Sequence, residues 1–308
     1  KTPLYVHAII NSFFIQSAWR LNGGGSQLAD QLSQIITSKG GQVLTLSEAT
    51  DYVFEGKEIQ ALKLKNGSQI LGKHFISNTH PRSTLEMVES GKLRKLYVDR
   101  LNHLPNSTSS FTVYCSLKRK VLKHNNHNTY CSLDENIWTS DQTNQAEGKW
   151  PQGLMFYTTE DSMNPGFAES LTLIAMMNFS DVRQWQDSKI GRRGKDYEDF
   201  KDMKAQLILN FATDYIPELE SMIENMHTAT PLTYRDYTGT FEGSMYGIIK
   251  DCQNPMKSFL SPATKIPNLK LTGQNVNLHG MLGVTMTSLI TCAFRLDLNS
   301  LIEKIRKA

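Results

Sequence analysis

Cysteine is scarce in this chain of 308 residues. The four present (Cys115, Cys131, Cys252 and Cys292) form no C-x-x-C pair. That excludes a disulfide scaffold, a zinc ribbon and a thioredoxin-type site, and leaves them as small core residues of a chain from a reducing compartment. No run of 18 apolar residues occurs, so no transmembrane helix is expected. Lys1–Asn11 carry no cleavable-signal pattern, and the expected location is cytoplasmic. Excess charge of one sign is missing too. The balance of 33 basic and 30 acidic residues, net +3, argues against a nucleic-acid partner. Metal-ligand spacing is absent: His124-x-x-His127 is a pair in a polar loop without a matching Cys or carboxylate, so no metal is expected. Neither G-x-G-x-x-G nor a P-loop is present.

What is there suffices for a sizeable core. Hydrophobic residues make up 39% of the chain, with 13 Phe, 11 Tyr and 12 Met. The length predicts one large domain or two ordinary ones. After an apolar, aromatic stretch (Leu4–Trp19), Gly23-Gly24-Gly25 leads to Ser26, an expected N-cap. Leu28, Leu32, Ile35 and Ile36 then share one helix face, and Gly40-Gly41 ends that helix. Val43–Leu46 reads as a short strand. Thr50–Phe54, Ile59–Leu64 and Gln69–Ile76 read as an antiparallel meander with turns at Gly56 and Asn66-Gly67. Ser77-Asn78-Thr79-His80-Pro81 closes it.

The middle, from about Arg82 to Ser261, has a different texture. Asn125–Trp150 is polar and predicts a long loop or lid. Leu171–Asn178 reads as a strand, and Tyr197–Asp214 as a helix with Phe200, Met203, Leu207 and Phe211 along it. Ile216–Glu220 starts another helix. The segment Thr233–Gly247 is aromatic and Gly-rich. Last come a strand (Asn268–Leu271), a loop with three glycines (Thr272–Gly283), a helix over Val284–Phe294 with Leu289, Ile290, Ala293 and Phe294 as apolar positions, and an amphipathic tail (Asn299–Lys307). A strand, a Gly-rich loop and a helix start make either a structural turn or a ligand site, since glycines allow close approach and the first helical N–H groups are unpaired.

Four segments, in order, carry a resemblance. They are Gly23-Gly24-Gly25-Ser26-Gln27-Leu28-Ala29; the meander ending Ile76-Ser77-Asn78; Pro231–Gly239 with Glu242–Gly247; and Thr272-Gly273-Gln274 followed by His279-Gly280. Together they resemble the phytoene desaturase and retinol saturase family of FAD-dependent oxidoreductases. The resemblance implies an α/β fold: a partial FAD/NAD(P)-binding Rossmann-like domain (22–79 and 262–308) with an inserted mixed-sheet, α+β substrate domain (1–21 and 80–261). That family opens with a βαβ unit carrying G-x-G-x-x-G. This sequence therefore looks like a C-terminal portion, inactive alone, whose partner is the missing N-terminal FAD-binding segment of the same protein.

By the same resemblance, Ala49 brackets adenine, Ser77 and Asn78 lie near the pyrophosphate, and Gly273 and Gln274 contact pyrophosphate and ribityl oxygens. Gly280, Met281 and Leu282 would present backbone N–H groups to the pyrimidine edge of the flavin. The implied cofactor is FAD, with NAD(P) as a candidate electron donor or acceptor. The implied reaction is desaturation, saturation or isomerisation of an isoprenoid C–C bond, on a small apolar substrate. No catalytic acid or base can be named. Tyr234, Tyr237 and Tyr246 form either a substrate-pocket wall or ordinary core packing. The basic clusters Lys92–Arg100, Lys118–Lys123 and Lys189–Lys195 mark solvated faces or, more sharply, peripheral contact with an anionic membrane. The alternatives are a flavin-dependent amine oxidase and a non-catalytic fragment that binds lipid or a partner chain.

Overall fold

A computed structural model describes residues 2–21, 23–133 and 150–307. Most of the expected loop or lid, residues 134–149, lies outside the described residues. In chain order, helices α1 (Leu4–Gln16) and α2 (Ser26–Ser38) precede strands β1 (Ala49–Glu55), β2 (Glu58–Leu64), β3 (Gln69–Leu71) and β4 (Phe75–Ser77). Helices α3 (Pro81–Glu86) and α4 (Lys95–Asn102) lead to β5 (Ser109–Leu117), β6 (Thr129–Ser132), β7 (Gly153–Glu160) and β8 (Ala168–Met177). Then follow α5 (Lys195–Thr213), α6 (Leu219–Met222), β9 (Ile223–Ala229), α7 (Pro231–Thr238), α8 (Pro255–Ser258), β10 (Leu269–Leu271), α9 (Gly280–Cys292) and α10 (Leu298–Lys307). The class is mixed α/β, as expected. Two compact units emerge: Lys1–Pro105 with Ile248–Ala308, and Asn106–Gly247. Residues 1–21, 80–105 and 248–261, grouped above with the substrate region, fall in the first unit.

In the first unit, β1, β2 and β3 form the antiparallel meander, with Gly56 and Gly67 at positive φ in its turns. Three expectations need correcting. Val43–Leu46 forms no strand: no neighbour pairs with it, and Leu46 sits exposed at φ +53°. Gly25, not Ser26, occupies the N-cap of α2. The third meander segment breaks after Leu71, and Phe75–Ser77 leaves the meander to pair in parallel with β10.

A single side chain ties these pieces together. The buried Asn268 amide accepts a hydrogen bond from Ile59 N–H (3.0 Å) and donates to Ile59 C=O (2.7 Å) and Lys73 C=O (3.3 Å). It thus stands in for a strand neighbour, satisfying buried backbone groups that would otherwise be unpaired. Around it Tyr52, Ile59, Ile266 and Leu269 form a small core.

The outer helices of this unit carry their apolar residues outward. On α9 the buried positions are Gly283, Thr287 and Thr291, while Met281, Met286 and Ile290, and Phe294 just after the helix, are exposed. Thr291 faces inward because its hydroxyl donates to Leu271 C=O at the end of β10 (3.2 Å). The expected apolar face of α9 is therefore not its buried face. Helix α2 buries no residue, and Leu28, Leu32, Ile35 and Ile36 all face solvent. Extensive exposed apolar surface of this kind is the informative deviation from a self-contained core.

The second unit is a five-stranded antiparallel sheet in the order β6-β7-β8-β5-β9. Alternation decides its faces. Phe111, Val113 and Cys115 of β5 and Leu171, Leu173 and Ala175 of β8 enter the core shared with Ala205, Ile208, Leu209 and Ala212 of α5. Met203 and Leu207, expected along the apolar stripe of α5, lie outside it. The expected helix near Ile216–Glu220 is only the single turn of α6 before β9 begins. Arg193, read as part of a solvated basic cluster, is instead buried and ion-paired with Asp236.

Replacing Asn268 by Leu removes the partners of Ile59 and Lys73. Unsatisfied buried groups cost about 1–3 kcal/mol each, so we expect a clearly lower urea midpoint for Asn268→Leu, whereas Asn66→Leu on an exposed turn should shift it far less.

Candidate functional site

Strands β4 and β10 run parallel, with Leu271 opposite Ser77. Their carboxyl ends therefore lie side by side, and the loops that leave them start together: Ser77-Asn78 on one, Thr272-Gly273-Gln274 on the other. Thr272 N–H donates to Ser77 C=O (2.9 Å), closing the pair. Gly273 is buried at φ +89°, and a Cβ there would overlap the Asn78 side-chain oxygen. Only glycine meets both demands, a left-handed backbone and contact with a neighbour. In open α/β sheets the crevice beyond the carboxyl ends of the strands is where ligands bind.

Of the residues singled out in the sequence, Ser77, Asn78, Gly273 and Gln274 are brought to this one place. The Ser77 hydroxyl turns inward, bonded to Thr79 (3.0 Å), Thr84 (2.8 Å) and Tyr52, so a ligand here would meet its backbone. Asn78 is exposed and Gln274 half-buried. Gly280 opens α9 at φ +80°, with no atom within 4 Å of a notional Cβ. Met281 and Leu282 are exposed on the first turn of α9. Burial lowers the pKa of His279, just before that turn. Ala49 opens β1 opposite Leu64, within the same unit.

Two residues that hold this loop carried no sequence signal. Asn275 is buried, and its side-chain oxygen accepts from Ile248 N–H (3.0 Å). Lys250 donates through Nζ to the carbonyls of Asn275 (2.9 Å) and Ser258 (3.2 Å). Neither belongs to a motif; a lysine in a surface-like run such as Ile248–Asp251 gives no hint that it clamps a loop from within. Desolvation lowers the Lys250 pKa to about 8.

The aromatic candidates lie in the second unit. Tyr234 on α7 reaches the face of the sheet that the core does not use, where its hydroxyl meets that of Thr112 (2.5 Å). Tyr246 is near Tyr130 of β6, and burial raises its pKa. Tyr237 is largely exposed. Phe156 and Met177 belong to the core of that unit. Among the described residues no group of His, Cys, Asp or Glu is placed to hold a metal ion.

No family model matches the sequence. An all-trans-retinol 13,14-reductase of Danio rerio is 24% identical over 308 residues, covering 93% of this chain and 51% of that protein. A chloroplastic prolycopene isomerase of Daucus carota is 23% identical over 73% of this chain and 35% of its own length. The chain is thus similar to proteins named as retinol reductases and prolycopene isomerases. The chain spans about half the length of the curated retinol reductases it matches. An oxidoreductase from Methanosarcina mazei shares the fold, with a TM-score of 0.54 at 12% identity over 92% of this chain and 55% of that one. The juxtaposed loops lie in the first unit and the tyrosines in the second.

Two outcomes follow from the loop geometry. Gly273→Ala must displace Asn78 and adopt a left-handed backbone, whereas Gly280→Ala meets no neighbour and carries only the backbone cost of about 1–2 kcal/mol. Gly273→Ala should therefore lower the melting temperature more. For Lys250, the native state releases its proton near pH 8 while the unfolded chain holds it to about 10.4. The unfolded state binds more protons in that window, so stability rises with pH from about 8 to about 10.4. In Lys250→Met that rise should be reduced, as denaturant titrations at pH 7.5 and 10 would show.

Proposed function

We propose that the chain is the C-terminal portion of a FAD-dependent oxidoreductase that desaturates, saturates or isomerises C–C bonds of an isoprenoid polyene. The observation that carries this reading is the junction of the Ser77-Asn78 and Gly273-Gln274 loops at adjoining strand ends, in a chain similar over nearly its whole length to a retinol reductase.

The residues present fit FAD. Gly273 and Gln274 would hold pyrophosphate and ribityl oxygens, Gln274 through its neutral amide. Ala49 would bracket adenine, and Asn78 would lie near the pyrophosphate. The unpaired N–H groups of the first turn of α9 at Gly280, Met281 and Leu282 would face the pyrimidine edge, and the space beside Gly280 suits a flat ring. FAD, when bound, supplies hydride transfer. NAD(P) is a candidate partner in electron supply. The second unit's sheet, with Tyr234 and Tyr246, would receive the apolar substrate.

The outward apolar faces of α2 and α9, and a parallel sheet that has two strands among the described residues, support completion by a preceding βαβ segment that supplies the main pyrophosphate site. No helix among the described residues is long and apolar enough to cross a membrane. We place the protein in the cytoplasm, with peripheral membrane contact through the exposed Phe13, Phe14, Ile15 and Trp19 in and after α1.

Purified alone, the chain is expected to be colourless; joined to its preceding segment it should be yellow, contain FAD and change the absorbance spectrum of a polyene. A completed protein that binds no flavin would sink the proposal. In the completed protein, Gly280→Val should lower flavin content, because a branched side chain fills the space beside α9 and resists positive φ. Unchanged content would remove Gly280 from the site.

A further inference from the structure

A cleft in the second unit lies on the core side of the sheet, where the end of α5 meets β6 and β7, opposite the face that Tyr234 reaches. Its volume is about 330 Å³. Small-molecule sites span about 300–1,000 Å³, so this one suits a ligand of one or two rings.

Two fixed walls bound it. One is the segment 122–125, which is tied to the sheet. Leu122 C=O accepts from Ala168 N–H (2.9 Å) and His124 N–H donates to Gly166 C=O (3.0 Å). The buried Thr158 hydroxyl meets His124 Nδ1 (2.9 Å) and accepts from Asn125 N–H (3.2 Å). The other wall is the turn that ends α5. Tyr215 N–H and Ile216 N–H both donate to Ala212 C=O (3.0 and 2.8 Å). The Tyr215 ring packs against Phe156 (centroids 6.2 Å apart) and Phe211 (6.0 Å), and its hydroxyl bonds Cys131 of β6. Ligand sites are usually formed before the ligand arrives, and both walls meet that condition.

The chemistry of the lining is divided. Phe156, Tyr215, Ile216 and Met222 give it an apolar, aromatic interior. At its exposed rim Lys123 brings an ammonium and His127 an imidazole. Neither side chain has a hydrogen bond or ion pair among the described residues. No Asp or Glu among the described residues lines the cleft; Asp214, next to Tyr215 in sequence, belongs with Glu218 and Glu220 to a separate hollow. A cationic ligand therefore finds no counter-charge here, and a plain hydrocarbon gains nothing from Lys123. An aromatic ring gains edge or offset contacts with Phe156 and Tyr215. An oxyanion gains charge-assisted hydrogen bonds, which are stronger than neutral ones.

We propose that this cleft binds a small aromatic carboxylate, its ring against Phe156 and Tyr215 and its anionic group at Lys123 and His127. The site does not depend on the flavin or polyene reading.

Isothermal titration of the purified chain at about pH 7.5, where a carboxylic acid is ionised, tests it with two probes. They are 2-naphthoate and 2-naphthamide, which share a ring system and differ in charge. Wild-type chain should bind the carboxylate about tenfold more tightly than the amide, a factor within reach of one hydrogen bond to a charged group. Lys123→Met should bring that ratio towards one and leave amide affinity unchanged, a pattern that loss of folding would not produce. Thr129, half-buried on β6 opposite Phe156, lines the same cleft. Thr129→Phe places an aromatic residue where a strand accepts one, fills the cleft and should weaken both probes. Leu32→Ser, on the exposed apolar face of α2, should change neither affinity. Absence of naphthoate binding, equal affinity for the two probes, a ratio that survives Lys123→Met, or affinity lost in Leu32→Ser and kept in Thr129→Phe would each overturn the proposal.

Discussion

The close approach of Gly273 to Asn78 is the constraint on which the first unit's organisation turns. It needs two strands from distant parts of the chain, β4 and β10, to run parallel and to end level with each other. A parallel pair cannot be made by a hairpin, so an entire domain's worth of chain intervenes between its members. Asn268 sets one end of that arrangement by pairing with Ile59, and Thr291 sets the other by reaching back from α9 to Leu271. Between them the amide side chain and the hydroxyl fix where the Gly-rich loop leaves the sheet, and Lys250 with Asn275 fixes its path afterwards.

Polar side chains thus do in this unit what apolar packing does in the second. The second unit has a conventional core, with the inward residues of β5 and β8 against α5. The first has a small core under the meander and leaves the apolar faces of α2 and α9 outward. A large exposed apolar surface is costly in isolation.

The legible parts of the sequence were those governed by local rules. The turns at Gly56 and Gly67 declare themselves because positive φ selects glycine, and the hairpin that joins β1 to β2 follows from residue alternation. The break between β3 and β4 has a local mark in Gly72-Lys73, but only the distant partner β10 decides that the chain changes sheets there. The buried face of α9 escapes periodicity for a related reason: periodicity finds the apolar stripe, but the positions that α9 buries are Gly283, Thr287 and Thr291, the last bonded to Leu271 of β10. At the candidate site, the Gly273 and Ser77-Asn78 segments stood out as motif fragments, whereas Lys250 and Asn275 act through loop carbonyls and an amide N–H that no pattern records. Arg193 sits in a basic run that reads as solvated until Asp236, on α7, is brought against it.

The central claim is that the loops joined at Gly273 and Asn78, together with the start of α9, form one cofactor site. A crystal structure of the completed protein with FAD tests it most directly. The account predicts pyrophosphate and ribityl oxygens against Gly273 and Gln274 and the pyrimidine edge of the ring at the N–H groups of Gly280–Leu282. FAD bound with these loops out of contact would contradict it.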